Sequence, residues 1–391
     1  MMQMRLLGFL ATTFLAVTPV LVAAQLSDEE VAAKKEALTQ GIDGRTADER
    51  EADKDVMARY ADAMVIDALI PGTPNGYVGG PVSGYEEMVS RSKDHGFTAV
   101  SYTAAVDDTY EPLQIVRWIG AALKYYKSKP DIYLLVDTVD DLRRAKVEGK
   151  FGVMLNFQGS NALGSRLEMV DAYYAMGVRQ MNFAYNVRNF IADGGGVDPD
   201  RDSGLSKMGF QLVKEMNRVG MIVDCTHSSN QTCLDAAATS TKPIVLSHSN
   251  AYGAYELPRN SPDDVIKAVA GTGGVVCTNG LGGFLNKEGN ARPEDLARHV
   301  NYVKELVGAE HTCFGSDHLT AEVYIEALDF VLRNPESYPP ELGYGAQTQI
   351  ALPRDIWGVV AVLEDEYDWS EDEISGFLGE NLIRVYEANW E

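Results

Sequence analysis

The sequence predicts an α/β fold, a (β/α)8 TIM-type barrel with extra helices at its N- and C-termini. Eight short apolar runs recur between residues 64 and 315, and amphipathic helical stretches separate them. Most runs are rich in Val, Ile, Leu and Met without clean alternation, as strands buried on both faces should be. Eight strand–helix units in series are the signature of a closed parallel barrel. A doubly wound open sheet is the rival, weakened in its nucleotide-binding form because no GxGxxG follows the first run.

Residues 1–24 come first. Arg5 is their only charge, Leu6 to Ala24 is almost wholly apolar, and the stretch ends Val22-Ala23-Ala24. Small residues at that point suit signal peptidase. An uncleaved anchor is the alternative, since about 18 apolar residues can span a bilayer. Thr12, Thr13, Thr18 and Pro19 interrupt the run and no basic cluster follows it, which favours cleavage after Ala24. The expectation is a periplasmic or secreted bacterial protein with no membrane span after processing.

Residues 25–63 form a helical extension. Ser27 with Glu30 and Thr46 with Glu49 fit the capping-box pattern. The segment is strongly charged, so it is expected on the surface outside the main fold. The barrel and its C-terminal helices take residues 64–391 as one domain. The eight expected strands are Met64–Ile70, Phe97–Tyr102, Phe151–Phe157, Val178–Ala184, Met221–Thr226, Pro243–Ser247, Gly273–Thr278 and Thr312–Gly315. Ile132–Val136 is a ninth run, read as extra structure in the long second crossover. Gly204–Val219 and Pro293–Val307 are typical of the helical stretches. After residue 352 no strand pattern remains, and Ser370 with Glu373 caps a helix expected to cover the barrel.

Composition narrows the partners. Hydrophobic residues make up 45% of the 391, enough for a large core. The net charge of -23 repels nucleic acid and anionic membrane surfaces. The four cysteines, Cys225, Cys233, Cys277 and Cys313, show no framework spacing, and three lie inside apolar runs. Buried free thiols are the expected state, although export would permit disulfides.

In a (β/α)8 barrel, function gathers where the strands end. The run ends supply Asp67, Gln158, Tyr185, Asp224 with His227, His248, Asn279, and Asp317 with His318. Of six histidines, three follow run ends. His227 and His248 end consecutive strands, which lie about 4.8 Å apart in a sheet. Their imidazoles can therefore converge on one ion such as zinc.

The residues around these ends resemble a known family. Gly204-Leu205-Ser206, Leu212 to Met221, Val223-Asp224-Cys225-Thr226-His227, Pro243 to Ala251 (PIVLSHSNA) and Arg259 to Val265 are similar to the membrane (renal) dipeptidases. So are Gly315-Ser316-Asp317 and Gly379 to Val385, all in the family's order. The resemblance runs from about Met64 to Val385. It implies a (β/α)8 barrel, a two-zinc hydrolase acting on dipeptides, and a homodimer. It implies that His227 and His248 are zinc ligands, that Arg259 binds the substrate carboxylate, and that Asp317 lies near the substrate amine.

Three positions depart from the pattern. Where the family has His-x-Asp on the first strand, this chain has Leu69 and Pro71. The bridging glutamate is replaced by Gln158, and the histidine after the fourth strand by Tyr185. Losing the bridging carboxylate removes a ligand and the charge that offsets two dications. At most one zinc per chain is therefore expected, on His227 and His248 with His318 as a possible addition. Three functions follow from the residues: a dipeptide hydrolase with an incomplete zinc site, using Asp317, Tyr185 and Gln158; a non-catalytic binder of peptide-like ligands; or a metal-independent tailoring enzyme for an exported peptide natural product.

Overall fold

The computed structural model describes residues 27–38, 45–72, 85–107, 111–319 and 321–390. The expected signal peptide lies outside these residues. The strands are β1 (Ile66–Ile70), β2 (Ala99–Val106), β3 (Tyr133–Leu135), β4 (Phe151–Gln158), β5 (Val178–Asn182), β6 (Ile222–Asp224), β7 (Val245–Leu246), β8 (Val275–Thr278) and β9 (Thr312–Phe314). Eight of them pair in parallel in the order β1-β2-β4-β5-β6-β7-β8-β9. β3, the ninth run, pairs with β4 off this path. The ring nearly closes where the Asp317 amide donates to the Leu69 carbonyl (3.1 Å). Beside it, the Ser316 amide donates to Asp67 Oδ1 (2.9 Å).

Helices sit between the strands for local reasons. Lys207–Val219 begins at Ser206, whose Oγ accepts from the Gly209 amide (3.1 Å). It ends at Gly220, which takes the left-handed conformation a helix C-terminus favours (φ 89°). Its buried residues, Leu212, Val213 and Met216, face the barrel at helical spacing. Pro293–Val307 has proline at its first turn and buries Leu296, Ala297, Val300 and Val303. Ile356–Tyr367 packs on the outer helices, and Asn381–Trp390 caps the amino ends of the strands, where Asn381 donates to the Thr312 carbonyl (2.9 Å) and Asn389 to the Pro243 carbonyl (3.0 Å).

The N-terminal extension is less peripheral than its charge suggests. Its described residues form three short helices, Asp28–Leu38, Ala47–Glu51 and Lys54–Arg59. Val56 and Tyr60 join the main core. Arg45 pairs with Asp53 (2.7 Å), and Arg50 pairs with Asp355 (2.8 Å), all four side chains being buried. Mutual neutralisation is what lets these charges leave water.

The cysteines require a correction. Cys277 and Cys313 form a disulfide. They are direct partners in the β8–β9 register, so their side chains emerge side by side. Strand pairing brings them together across 36 residues of sequence, which spacing alone does not reveal. Cys225 and Cys233 are buried free thiols, as expected.

The barrel interior is partly polar. Asn156 donates to Ser101 Oγ (2.9 Å), Gln180 to Asp224 Oδ2 (2.9 Å), and Gln158 to Thr103 Oγ1 (3.0 Å). Buried polar side chains satisfied in this way rigidify the strands that carry the site.

Candidate functional site

The carboxyl ends of the strands converge on one mouth, and the sequence-derived residues stand around it. His227 follows β6, His248 follows β7, Gln158 ends β4, Tyr185 follows β5, and Asp317 and His318 follow β9. His227, Asp317 and Asn186 adopt positive φ (66°, 52° and 59°). Left-handed backbone is uncommon for such residues and is sustained only where surroundings enforce it. Gly159 (φ 140°) is required after β4, because a Cβ there would lie 2.2 Å from the Asp107 side chain.

His227 and His248 touch directly, with Nε2 to Nε2 at 2.8 Å. Asn186 Nδ2 donates to the Ser337 carbonyl (2.9 Å), which leaves Asn186 Oδ1 facing His227 Nδ1 (3.0 Å). That contact places the proton of His227 on Nδ1. Its Nε2 is then an acceptor, facing His248 and the Arg259 guanidinium (3.3 Å). His248 Nδ1 meets Ser247 Oγ (2.8 Å), and Ser247 in turn donates to Asp224. A matching relay runs from Asp67 through Ser316 to His318 Nδ1 (2.9 Å). Burial, with Arg259 nearby, holds both His227 and His248 well below the usual imidazole pKa and therefore neutral; with Ser247 donating to Asp224, the single proton of His248 sits on Nδ1, so its Nε2 lone pair faces that of His227.

Arg259 is buried. Its terminal nitrogen also donates to the His248 carbonyl (3.3 Å), and its guanidinium lies over the Phe284 ring (5.3 Å). Its Nε has no hydrogen-bond partner among the described residues. Asp317 accepts from Asn279 Nδ2 (2.9 Å). Burial raises the Asp317 pKa to about 6, against the lowering pull of Arg259 and Asn279. Tyr185 stacks on His227, ring centroids 3.8 Å apart.

Two cavities open at this mouth. One, of about 250 Å³, has Asp317, Tyr185, Tyr338, Tyr344 and Phe284 in its walls. The other, of about 460 Å³, has His227, Arg259, Ser249 and Asn260 in its walls. Tyr338 and Tyr344 carry no signal in the sequence. They come from the segment after the last strand, whose path over the mouth no periodicity predicts. Ser247 and Ser316 could have been found, since each stands one or two residues before a strand-end histidine.

The donor set does not fit a two-zinc centre. Leu69 and Pro71 offer no metal-binding atom, Gln158 is a neutral amide committed to Thr103, and the His227 lone pair faces Arg259 and His248. Among the described residues, no group of three His, Cys, Asp or Glu side chains is arranged to hold a metal ion.

A parallel barrel that gathers imidazoles, an arginine and an acid at the carboxyl ends of its strands is built as a barrel enzyme is. Within that class, the chain belongs to the membrane dipeptidase family, peptidase family M19, whose model matches residues 89–337. It is 30% identical over 292 residues to an uncharacterised dipeptidase of Schizosaccharomyces pombe, a match covering 73% of this chain and 63% of that protein. It is 27% identical over 276 residues to the dipeptidase tcpJ of Claviceps purpurea, covering 70% of this chain and 64% of the relative. The matched stretch thus spans just under two thirds of each curated relative. Among solved structures, it is similar to an amidohydrolase from Pseudomonas aeruginosa, with a TM-score of 0.72 at 26% identity over 86% of this chain and 99% of that one. A metallo peptidase from Rhodobacter sphaeroides, liganded with a phosphinate mimic of the dipeptide L-Ala-D-Ala, shares the fold, with a TM-score of 0.67 at 18% identity over 84% and 99% of the two chains.

Proposed function

We propose that this protein acts at its barrel mouth on small dipeptide-like molecules, hydrolysing an amide bond without the two-zinc chemistry the family uses. The observation that carries this reading is the presence of one buried cation, Arg259, and one half-buried acid, Asp317, at the same mouth. Arg259 presents an unpartnered Nε suited to a ligand carboxylate. Asp317, with its pKa near 6, receives an ammonium and can exchange a proton with it close to neutral pH. In this reading Tyr185, in the wall of the Asp317 cavity, and Gln158, at the end of β4 behind it, supply hydrogen bonds to the scissile carbonyl. At most one zinc per chain, on His227 and His248 with His318 as a possible third ligand, accompanies this reading. The protein is exported to the periplasm or beyond, and a homodimer is its proposed assembly.

A binding-only role is the second reading. It is favoured by the closure of His227, His248 and Arg259 upon one another, which uses the groups that would otherwise act on a water. A panel of L,L and L,D dipeptides, assayed with and without added zinc, separates the two. Slow release of free amino acids supports the hydrolase, and saturable binding without release supports the binder. Turnover on the order of 10 per second, typical of intact enzymes, would refute the argument from the missing ligands.

A further inference from the structure

The cavity that contains Asp317 is walled mostly by apolar and aromatic side chains. Pro71, which stands where the family has a zinc-binding aspartate, faces this cavity. Loss of the first-strand ligands thus coincides with an apolar wall at the same place. In the same cavity, aromatic rings form a continuous belt. Tyr185 meets Tyr338 edge-on (centroids 5.7 Å), Tyr338 meets Phe330 (5.7 Å) and Tyr344 (5.3 Å), and Tyr344 meets Phe284 (5.7 Å). The belt begins at His227, on which Tyr185 stacks, and ends at Arg259, which lies over Phe284. Among the described residues lining the cavity, Asp317 is the sole acid, and no Lys, Arg or His lines it.

We propose that this cavity selects ligands whose free amine carries a large aromatic side chain: the ammonium on Asp317, the ring inside the belt. This rests on the reading of Asp317 as the amine-binding acid and names the class of residue bound there. The geometry supports it in two ways. A cavity of about 250 Å³ approaches the lower end for small-molecule pockets, roughly 300 Å³, so it admits one large aromatic side chain. Edge-to-face packing among existing rings leaves faces and edges available to another aromatic ring, an arrangement such rings prefer over flat sandwiches. A glycine or alanine residue would leave the belt empty and gain only the charge contact.

The test uses the full-length protein and amides that lack a carboxylate, so Arg259 plays no part. Phenylalaninamide, glycinamide and 3-phenylpropanamide are titrated separately, followed by NMR chemical shifts. The expected result is that phenylalaninamide binds at least about tenfold more tightly than glycinamide, the ratio that burying a phenyl group gives. It should likewise exceed 3-phenylpropanamide, which lacks the ammonium. Phe330→Ala, at the half-exposed rim, should narrow the first ratio and leave glycinamide binding unchanged. Equal binding of phenylalaninamide and glycinamide would overturn the proposal while leaving Asp317 as an amine site. Equal binding of phenylalaninamide and 3-phenylpropanamide would overturn the role given to Asp317. Failure of all three amides, with dipeptides still bound, would overturn the cavity assignment and spare the proposed function. Failure of amides and dipeptides alike would end both.

Discussion

Replacing Asp67 by asparagine should stabilise the protein at pH 8 and leave it nearly unchanged at pH 4. Asp67 is fully buried on β1, accepting from the amides of Leu69 (3.2 Å) and Ser316 (2.9 Å) and from Ser316 Oγ. Burial raises its pKa from 3.8 to about 7, and these hydrogen bonds only partly offset the rise. A carboxyl whose folded pKa exceeds its unfolded one resists ionisation in the folded state. The fold therefore loses stability as pH rises above about 4, and the loss levels off above about 7. A rise of this size corresponds to about 4 kcal/mol. Asparagine keeps the acceptor for both amides, and its Nδ2 can donate to Ser316 Oγ, so the relay to His318 survives. Urea denaturation of both proteins at pH 4, 6 and 8 should show a difference that grows with pH, to about 2–4 kcal/mol at pH 8. A difference that stays constant across that range, or shrinks, would refute the assignment of a buried, pKa-raised Asp67.

Other outcomes follow from the same structure. Under denaturing, non-reducing conditions two thiols per chain, not four, should react with a thiol reagent. Cys277→Ser with Cys313→Ser should lower stability by about 4 kcal/mol, the amount expected for closing a loop of this length; four reactive thiols would remove the cross-link. Arg259→Met should weaken binding of a dipeptide by about 10- to 100-fold, the loss of a charged hydrogen bond. The amidated form of the same dipeptide should bind equally to both proteins, and an equal loss for the two ligands would assign Arg259 a structural role instead. Gln158→Glu should not by itself restore rapid dipeptide hydrolysis, because Leu69 and Pro71 remain; restored turnover would show that first-strand ligands are dispensable.

Much of the fold was legible because strands buried on both faces leave unbroken apolar runs, and all eight runs expected as barrel strands are strands. The polar ends of those runs gave His227, His248, Gln158, Tyr185 and Asp317 directly. Less legible were features that depend on lateral contact. The Cys277–Cys313 bridge arises from register between β8 and β9, and the burial of Arg50 depends on Asp355, some three hundred positions away. The aromatic wall was invisible for a different reason. Tyr338 and Tyr344 lie in irregular chain, where neither a period of two nor one of 3.6 marks which side chain faces inward. Asn186 was also missed, since only the structure shows that it fixes the proton of His227.

On the proposed function, this barrel keeps the family's mouth without its two-metal centre. Elemental analysis of protein purified without chelators, in buffers supplemented with zinc, tests it directly. No more than one tightly held transition metal per chain is expected. Two stoichiometric zinc ions would contradict it and would require His227 and His248 to part from Arg259, with other ligands recruited beside them.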